Sequence, residues 1–379
     1  MPTEPKAEEK EKEEEFTSIP ILNYTHALSL TTKPSFLSEL RHALLHVGFF
    51  YLVHAPITPD VRHNLIQMTY KLFDLPAEKK LEIEMVNSKH FLGYSRLGAE
   101  TTARRVDWRE QFDFATELPP PPEGAPLYRN IRGPNQWPDE TSIPGFRHAV
   151  ESYLSELSPL ATSFQTLIAE ALDLPPTALH QFFETPTQQK LKLIKYPPPP
   201  SPSTSPSTSQ PQDPTQTQGV GAHKDSEFLT FLLQPTPHTG LEVQNKSGEW
   251  IPAPPLPDSL VVNIGRAFEA ITRGVCSATT HRVNLAPENF FGPDRKALGA
   301  RFSIPVFQGM SLDLQADKIG LDIPGFEAGG GGVQSDAEKT FNEVFRGRVG
   351  EGTLVHRVMS HQDVGRRWYP ELLEWALGE

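Results

Sequence analysis

The hydrophobic pattern changes period part-way along the chain. The first half carries apolar residues at helical spacing with short strands between them, and the second half consists of brief apolar runs separated by turn residues. In "PSFLSELRHALLHVG", Phe36, Leu37, Leu40, Ala43 and Leu44 share one helical face, and Gly48 ends the helix. "FFYLV" (49–53) follows as a compact strand, and "SIPILNY" (18–24) is a shorter strand before it. A second amphipathic helix is predicted from Asp60 to Phe73, so the first hundred residues read as helix, strand, helix around a small layer. "WREQFDFAT" (108–116) alternates Phe112 and Phe114 with Gln111 and Asp113, the pattern of a half-buried strand. After a turn-rich stretch (119–143), residues 144–172 predict the longest helix, with Phe146, Val150, Tyr153, Leu157, Phe164 and Leu167 near one stripe.

Beyond that helix come short strands: "LKLIKY" (191–196), "EFLTFLL" (227–233), "GLEVQ" (240–244), "EWIPA" (249–253), "SLVVNIG" (259–265), "SATTHRVN" (277–284) and "ARFSIPVF" (300–307). So many short strands in succession predict a sandwich or jelly roll. The chain closes with a helix over about 362–377. The fold class is therefore mixed α and β, a double-stranded β-helix (jelly-roll) core flanked by helices. Three regions follow: an acidic arm (1–15) expected to be disordered, a helix and strand region (16–143), and the strand-rich region (144–379). "PPPPSPSTSPSTSQPQDPTQTQ" (197–218) cannot bury a core and is expected to be a mobile loop; "GGGG" (329–332) reads as a flexible connector.

Composition narrows the function. The 38 prolines fit a chain of many turns, and no apolar run is long enough to span a bilayer. The charged start "MPTEPKAEEKEKEEEF" is unlike a secretory signal, and the single cysteine, Cys276, suits a reducing compartment, so a cytoplasmic location is expected. Net charge is -12; seven Glu against three Lys in residues 1–15 account for -4, leaving -8 for the body. A body that acidic is a poor partner for nucleic acid or anionic membrane, which leaves a small molecule as the expected partner. Oligomeric state is open, a monomer being the simplest expectation.

The candidate chemistry begins in "GVGAHKDSEFLTFLLQ". His223 and Asp225, two apart on an extended chain, point to one face just before a buried strand. His281 in "ATTHRVN" follows Asp225 by 281 − 225 = 56 positions, and a jelly roll can bring two such strands together at the open end of its barrel. Two imidazoles and one carboxylate make the three-ligand face that binds non-haem Fe(II) and leaves positions open. Arg301 and Ser303, in "RFS", add an inward guanidinium beside a hydroxyl, a fork for a carboxylate.

With these residues in order, the chain resembles the 2-oxoglutarate and Fe(II)-dependent dioxygenases of the isopenicillin N synthase-like family. The resemblance runs from about residue 18 to the C-terminus through "IPILNY", "HVGFFYLV", "LFDLPAEKK", "GYSRLGAE", "DWREQFDF", "NQWP", "LKLIKYPPP", "HKD", "LTFLLQ", "GLEV", "NIG", "THRV", "RFSIPVF" and "VGRRWYPELLEW". It implies Fe(II) held by His223, Asp225 and His281, a 2-oxoglutarate distal carboxylate on Arg301 and Ser303, and Tyr196 near the metal, contacting cosubstrate or substrate. No catalytic residue beyond the metal ligands is implied. The implied cofactors are Fe(II), 2-oxoglutarate as cosubstrate, and O₂. The implied reaction hydroxylates, desaturates or cyclises a small organic molecule, as in specialised metabolism, and releases succinate and CO₂.

The sequence departs from the family pattern at several points. His281 and Arg301 are 20 positions apart, about twice the usual spacing, which marks "APENFFGPDRKALG" as an inserted turn and makes Arg295 a competing arginine. Ile194 replaces an asparagine often found two before the tyrosine; "API" (55–57) replaces "HGI"; Arg266 replaces the aspartate of "NIGD", the last two read as structural. The 197–218 insertion is expected near the pocket mouth, as a surface insertion or a lid. Substrate candidates are Lys192 and Ile194, on the Tyr196 face of their strand with Lys192 suited to an anionic group; Phe112, Phe114 and Phe307 as an apolar wall; and Tyr94 and Arg96, in a segment that often borders the pocket in this family. Two other readings stand beside this one: an Fe(II) oxidase of the same fold that uses no 2-oxoglutarate, and a non-catalytic small-molecule binding protein.

Overall fold

The computed structural model describes residues 15–102, 105–198, 218–315, 318–326 and 347–378. The acidic arm but for Glu15, most of the proline–serine insertion and the glycine run lie outside the described residues. The strands are β1 (Ile21–Asn23), β2 (Phe49–Val53), β3 (Gly93–Ser95), β4 (Thr101–Thr102), β5 (Arg105–Val106), β6 (Glu110–Ala115), β7 (Gln189–Tyr196), β8 (Gln218–His223), β9 (Leu229–Leu233), β10 (Leu241–Gln244), β11 (Trp250–Pro252), β12 (Ser259–Ile264), β13 (His281–Asn284) and β14 (Arg301–Gln308). A large sheet runs β1-β2-β12-β9-β14-β7-β6-β3 and a smaller one runs β11-β10-β13-β8, the two walls of the jelly roll; β4 and β5 form a separate hairpin. The early strands are not a separate layer. β2 pairs with β12, and β6 with β7, so the first hundred or so residues extend the large sheet on both sides.

Side-chain parity decides what each strand offers. In β14, Ile304 and Val306 join the main apolar core, while Arg301, Ser303, Pro305 and Phe307 face the space between the sheets. In β7, Leu191 and Leu193 join the core, and Lys190, Lys192, Ile194 and Tyr196 face inward. The core side is covered by the helix Phe146–Ala171, whose Phe146, Val150, Tyr153, Leu157 and Phe164 are all buried. The predicted helix 144–172 is therefore present within two residues at each end. A second apolar cluster, including Tyr51, Val220, Val243, Ile251 and Val283, fills the space between the sheets beside the inward face.

Local signals explain the joints. The helix Lys33–His42 runs into a π-helical turn, Ala43–Val47, that ends at Gly48 with φ 72°, where a side chain would lie 2.4 Å from Thr279 Oγ1. Three helices close the chain, Val349–Ser360, Gln362–Trp368 and Pro370–Leu377, the last two dividing the predicted helix over about 362–377. The first of these, absent from the sequence prediction, closes one side of the inner space. No helix among the described residues is long and apolar enough to cross a membrane.

Candidate metal centre and its cavity

Three side chains converge at one end of the space between the sheets. His223 ends β8, His281 begins β13, and the two are register partners with ring centroids 4.3 Å apart. Asp225 does not continue β8. It sits in the turn where the chain crosses to β9, and the turn rather than strand alternation brings it beside His223. His223 Nε2 and His281 Nε2 lie 3.5 and 3.7 Å from Asp225 Oδ1, and all three ligand atoms fall within 4.8 Å of one another.

The surroundings aim these atoms. His223 Nδ1 lies 2.8 Å from the Gly221 carbonyl and His281 Nδ1 3.2 Å from that of Thr279, so each ring donates from Nδ1 and turns its Nε2 lone pair toward Asp225. Asp225 Oδ2 accepts from Thr230 Oγ1 at 2.5 Å and Asn263 Nδ2 at 2.8 Å, which leaves Oδ1 for a metal. Burial raises the Asp225 carboxyl, but His281, His223 and Asn263 together outweigh it and hold the group well below the usual carboxylate range. Burial and the neighbouring His223 push His281 down to about 4, against the pull of Asp225. At neutral pH His281 is thus neutral and Asp225 charged. Two imidazoles and one carboxylate fit a divalent iron. The turn itself depends on Gly265: its N–H donates to the Phe228 carbonyl at 3.0 Å, and a Cβ there would lie 2.0 Å from the Glu227 carbonyl oxygen.

Asn263→Ala is expected to lower Fe(II) affinity about 10–100-fold, the usual effect of removing a partner of a metal-binding side chain. Competition with a chromogenic chelator measures it.

At the other end of the strands Arg301 stands opposite Tyr196, its guanidinium carbon 4.9 Å from the ring centroid. It donates to Ser303 Oγ at 2.7 Å and to Gln234 Oε1 at 3.4 Å, and only 2% of it is exposed. No carboxylate pairs with it among the described residues, and burial lowers its pKa. A buried cation with no acid beside it is costly alone and suited to an incoming carboxylate. Arg295, the competing arginine, is exposed in a turn at φ 60°.

Between these groups lies a cavity of about 450 Å³. Ile194, Lys192 and Phe307 line it, as predicted. Lys192, however, is already matched: Nζ lies 2.9 Å from Asp113 and 3.3 Å from Glu100. Glu100 also binds Arg109 at 2.6 Å and lies 2.9 Å from His361 Nε2, and against burial Lys192, Arg109 and the hydrogen bond with His361 hold its carboxyl low. Four predicted residues lie off the cavity. Phe112 packs on Phe73 and Tyr94, and Phe114 on Trp137 and Phe146, because Gln111 and Asp113 take the opposite face of β6. Tyr94 donates to Glu110 at 2.8 Å, and Arg96 pairs with Glu84 at 2.5 Å. Conversely Arg266, read as structural, lines the cavity, as do Lys190, Glu227, His356 and Arg357, which the sequence reading did not single out.

Comparison with known proteins accounts for this architecture. Residues 19–140 match the family described as "non-haem dioxygenase in morphine synthesis N-terminal", and residues 188–309 match the "2OG-Fe(II) oxygenase superfamily". A "2-oxoglutarate-dependent dioxygenase" of Gibberella zeae is 43% identical over 95% of this chain and 93% of its own length. The chain belongs to the 2-oxoglutarate-dependent dioxygenases. Among other relatives of this dioxygenase, frbJ of Dothideomycetidae sp. is 44% identical over 94% of each chain. A "Homoarginine-6-hydroxylase" of Oryza sativa is 31% identical over 71% of this chain and 81% of its own. A full-length Neurospora crassa protein solved in complex with alpha-KG shares the fold, with TM-score 0.69 and 24% identity over 90% of this chain and 96% of that one. The dioxygenase uses Fe(II), 2-oxoglutarate and O₂.

Proposed function

We propose that His223, Asp225 and His281 hold the iron of this dioxygenase, that Arg301 and Ser303 hold the distal carboxylate of 2-oxoglutarate beside Tyr196, and that the rest of the cavity takes a small organic substrate. The observation that carries the reading is a single cavity lined both by three converging ligand atoms and by a buried guanidinium without an acidic partner among the described residues. When bound, Fe(II), 2-oxoglutarate and O₂ supply the oxidation, one oxygen atom entering succinate as CO₂ leaves and the other being available for a substrate C–H bond.

The chain's own residues orient the partners. Thr230 and Asn263 keep one Asp225 oxygen turned away from the metal position, and the two backbone carbonyls fix the imidazoles. Arg301, with Ser303 and Gln234, places the cosubstrate from the far end, and the apolar surfaces of Phe49, Leu232, Pro305 and Phe307 limit water in the cavity. The relatives named as homoarginine hydroxylases favour hydroxylation among the possible outcomes.

Anaerobic addition of Fe(II) and then 2-oxoglutarate is expected to produce the visible metal-to-ligand charge-transfer band of the chelate. Iron binding without a band would refute the role given to Arg301 and Ser303. Absence of iron binding would refute the metal assignment.

A further inference from the structure

We propose that the substrate carries a carboxylate and that Lys190 is the residue that binds it. The inference rests on the reading that His223, Asp225 and His281 hold the iron and that Arg301 takes the cosubstrate.

Two observations carry it. The first is charge matching. Lys190 faces the cavity, is 9% exposed, and its side chain has neither a hydrogen bond nor an ion pair among the described residues. Glu227 and Asp113 favour its charged form, and Arg357 and Lys192 oppose it. Those four are already paired with one another: Arg357 lies 3.7 Å from Glu227, and Lys192 lies 2.9 Å from Asp113. The Lys190 charge is left without a counterpart. Arg266, elsewhere on the cavity lining, has a buried Nε with no hydrogen-bond partner among the described residues. A buried ammonium without an anion is unfavourable, and burial together with Arg357 pulls Lys190 down to about 7. A carboxylate would supply the direct acidic partner that the Lys190 ammonium lacks among the described residues.

The second observation is position. Lys190, Phe307, Thr230 and Asn263 are successive register partners across β7, β14, β9 and β12. Thr230 and Asn263 are the residues that hold Asp225. Two strand spacings therefore separate the Lys190 backbone from that of Thr230, about 10 Å. Arg301 is six residues further along β14 from Phe307, roughly 20 Å away. The cavity thus has two cationic ends, with Arg301 at one and Lys190 at the other, level with the groups that position the metal ligand. A molecule whose carboxylate rests on Lys190 extends its carbon chain toward the metal position while 2-oxoglutarate occupies Arg301.

The test uses the full-length protein loaded with Mn(II) in place of Fe(II) and saturated with 2-oxoglutarate, with hexanoate, benzoate and hexanamide as probes in ligand-observed proton NMR. Hexanoate or benzoate is expected to be broadened by the bound Mn(II), most strongly at protons remote from the carboxylate, and hexanamide is not. Lys190→Met is expected to weaken carboxylate binding roughly 10–100-fold, the loss of a hydrogen bond to a charged group, and Lys190→Arg to retain it. Broadening of 2-oxoglutarate itself serves as the control. Its presence in wild type and in both variants shows an intact fold and metal site, and its absence in wild type defeats the iron and cosubstrate reading instead. With that control intact, four results would overturn the proposal: no carboxylate broadened, amide and acid broadened alike, strongest broadening next to the carboxylate, or carboxylate binding unchanged in Lys190→Met. Lys190-dependent broadening of inorganic phosphate in place of the carboxylates would overturn the assignment of a carboxylate.

Discussion

Asp225→Ala protein, loaded anaerobically with Fe(II) and desalted, is expected to retain no iron and to release no succinate from 2-oxoglutarate. Removing this carboxylate does more than delete one of three donors. Asp225 is the negative charge that two imidazoles face, at 3.5 and 3.7 Å, and the remaining pair would have to bind a dication with neutral nitrogens alone. Thr230 Oγ1 and the Asn263 amide would also lose the oxygen they now share, at a cost of about 1–3 kcal/mol for each buried donor left unmet. The loss in metal affinity is expected to exceed the roughly hundredfold that deletion of a supporting partner produces. Iron content by inductively coupled plasma spectrometry, with succinate release, provides the measurement. A variant that keeps stoichiometric iron would show that the metal is held elsewhere.

Arg301→Leu separates cosubstrate binding from metal binding. The guanidinium is buried, donates to Ser303 and Gln234, and has no acidic partner among the described residues, so its two-pronged bond to a carboxylate is the interaction it lacks. Two charge-assisted hydrogen bonds are worth about 3 kcal/mol or more, which is roughly a hundredfold or more in Kd for 2-oxoglutarate. Fe(II) affinity is expected to stay near that of wild type. Without cosubstrate the variant should be at least as stable as wild type, because an apolar side chain replaces an uncompensated buried charge. Added 2-oxoglutarate should raise the wild-type Tm and leave the variant's unchanged. Thermal melts with and without cosubstrate under nitrogen read both effects.

The parts of the site that sequence pattern reached are those encoded locally. Alternation in "RFSIPVF" and "LKLIKY" predicts which side of each strand is apolar, and it placed Arg301, Ser303, Ile194, Lys192 and Phe307 on the inner face. It did not set the orientation of "REQFDF". There both faces are buried, and the aromatic face turns to the helix layer while Gln111 and Asp113 meet the charged network. Lys190 escaped because the predicted strand begins one residue after it, whereas β7 begins at Gln189. The charged network is beyond any local pattern, since His361 and Glu100 meet across 261 positions. "VGEGTLVHRVMS" carries two glycines, poor helix formers, yet it is helical because Val349, Leu354 and Val358 bury an apolar edge.

That helix has an evolutionary implication. The residues proposed to hold iron and cosubstrate fall within 196–303, whereas Thr353, His356, Arg357, Ser360 and His361, from the tail of the chain, line another part of the cavity. Changes in the tail would therefore reshape the cavity wall without altering the residues proposed to hold iron and cosubstrate. A family built on this plan can diversify what it oxidises by editing one end of the gene.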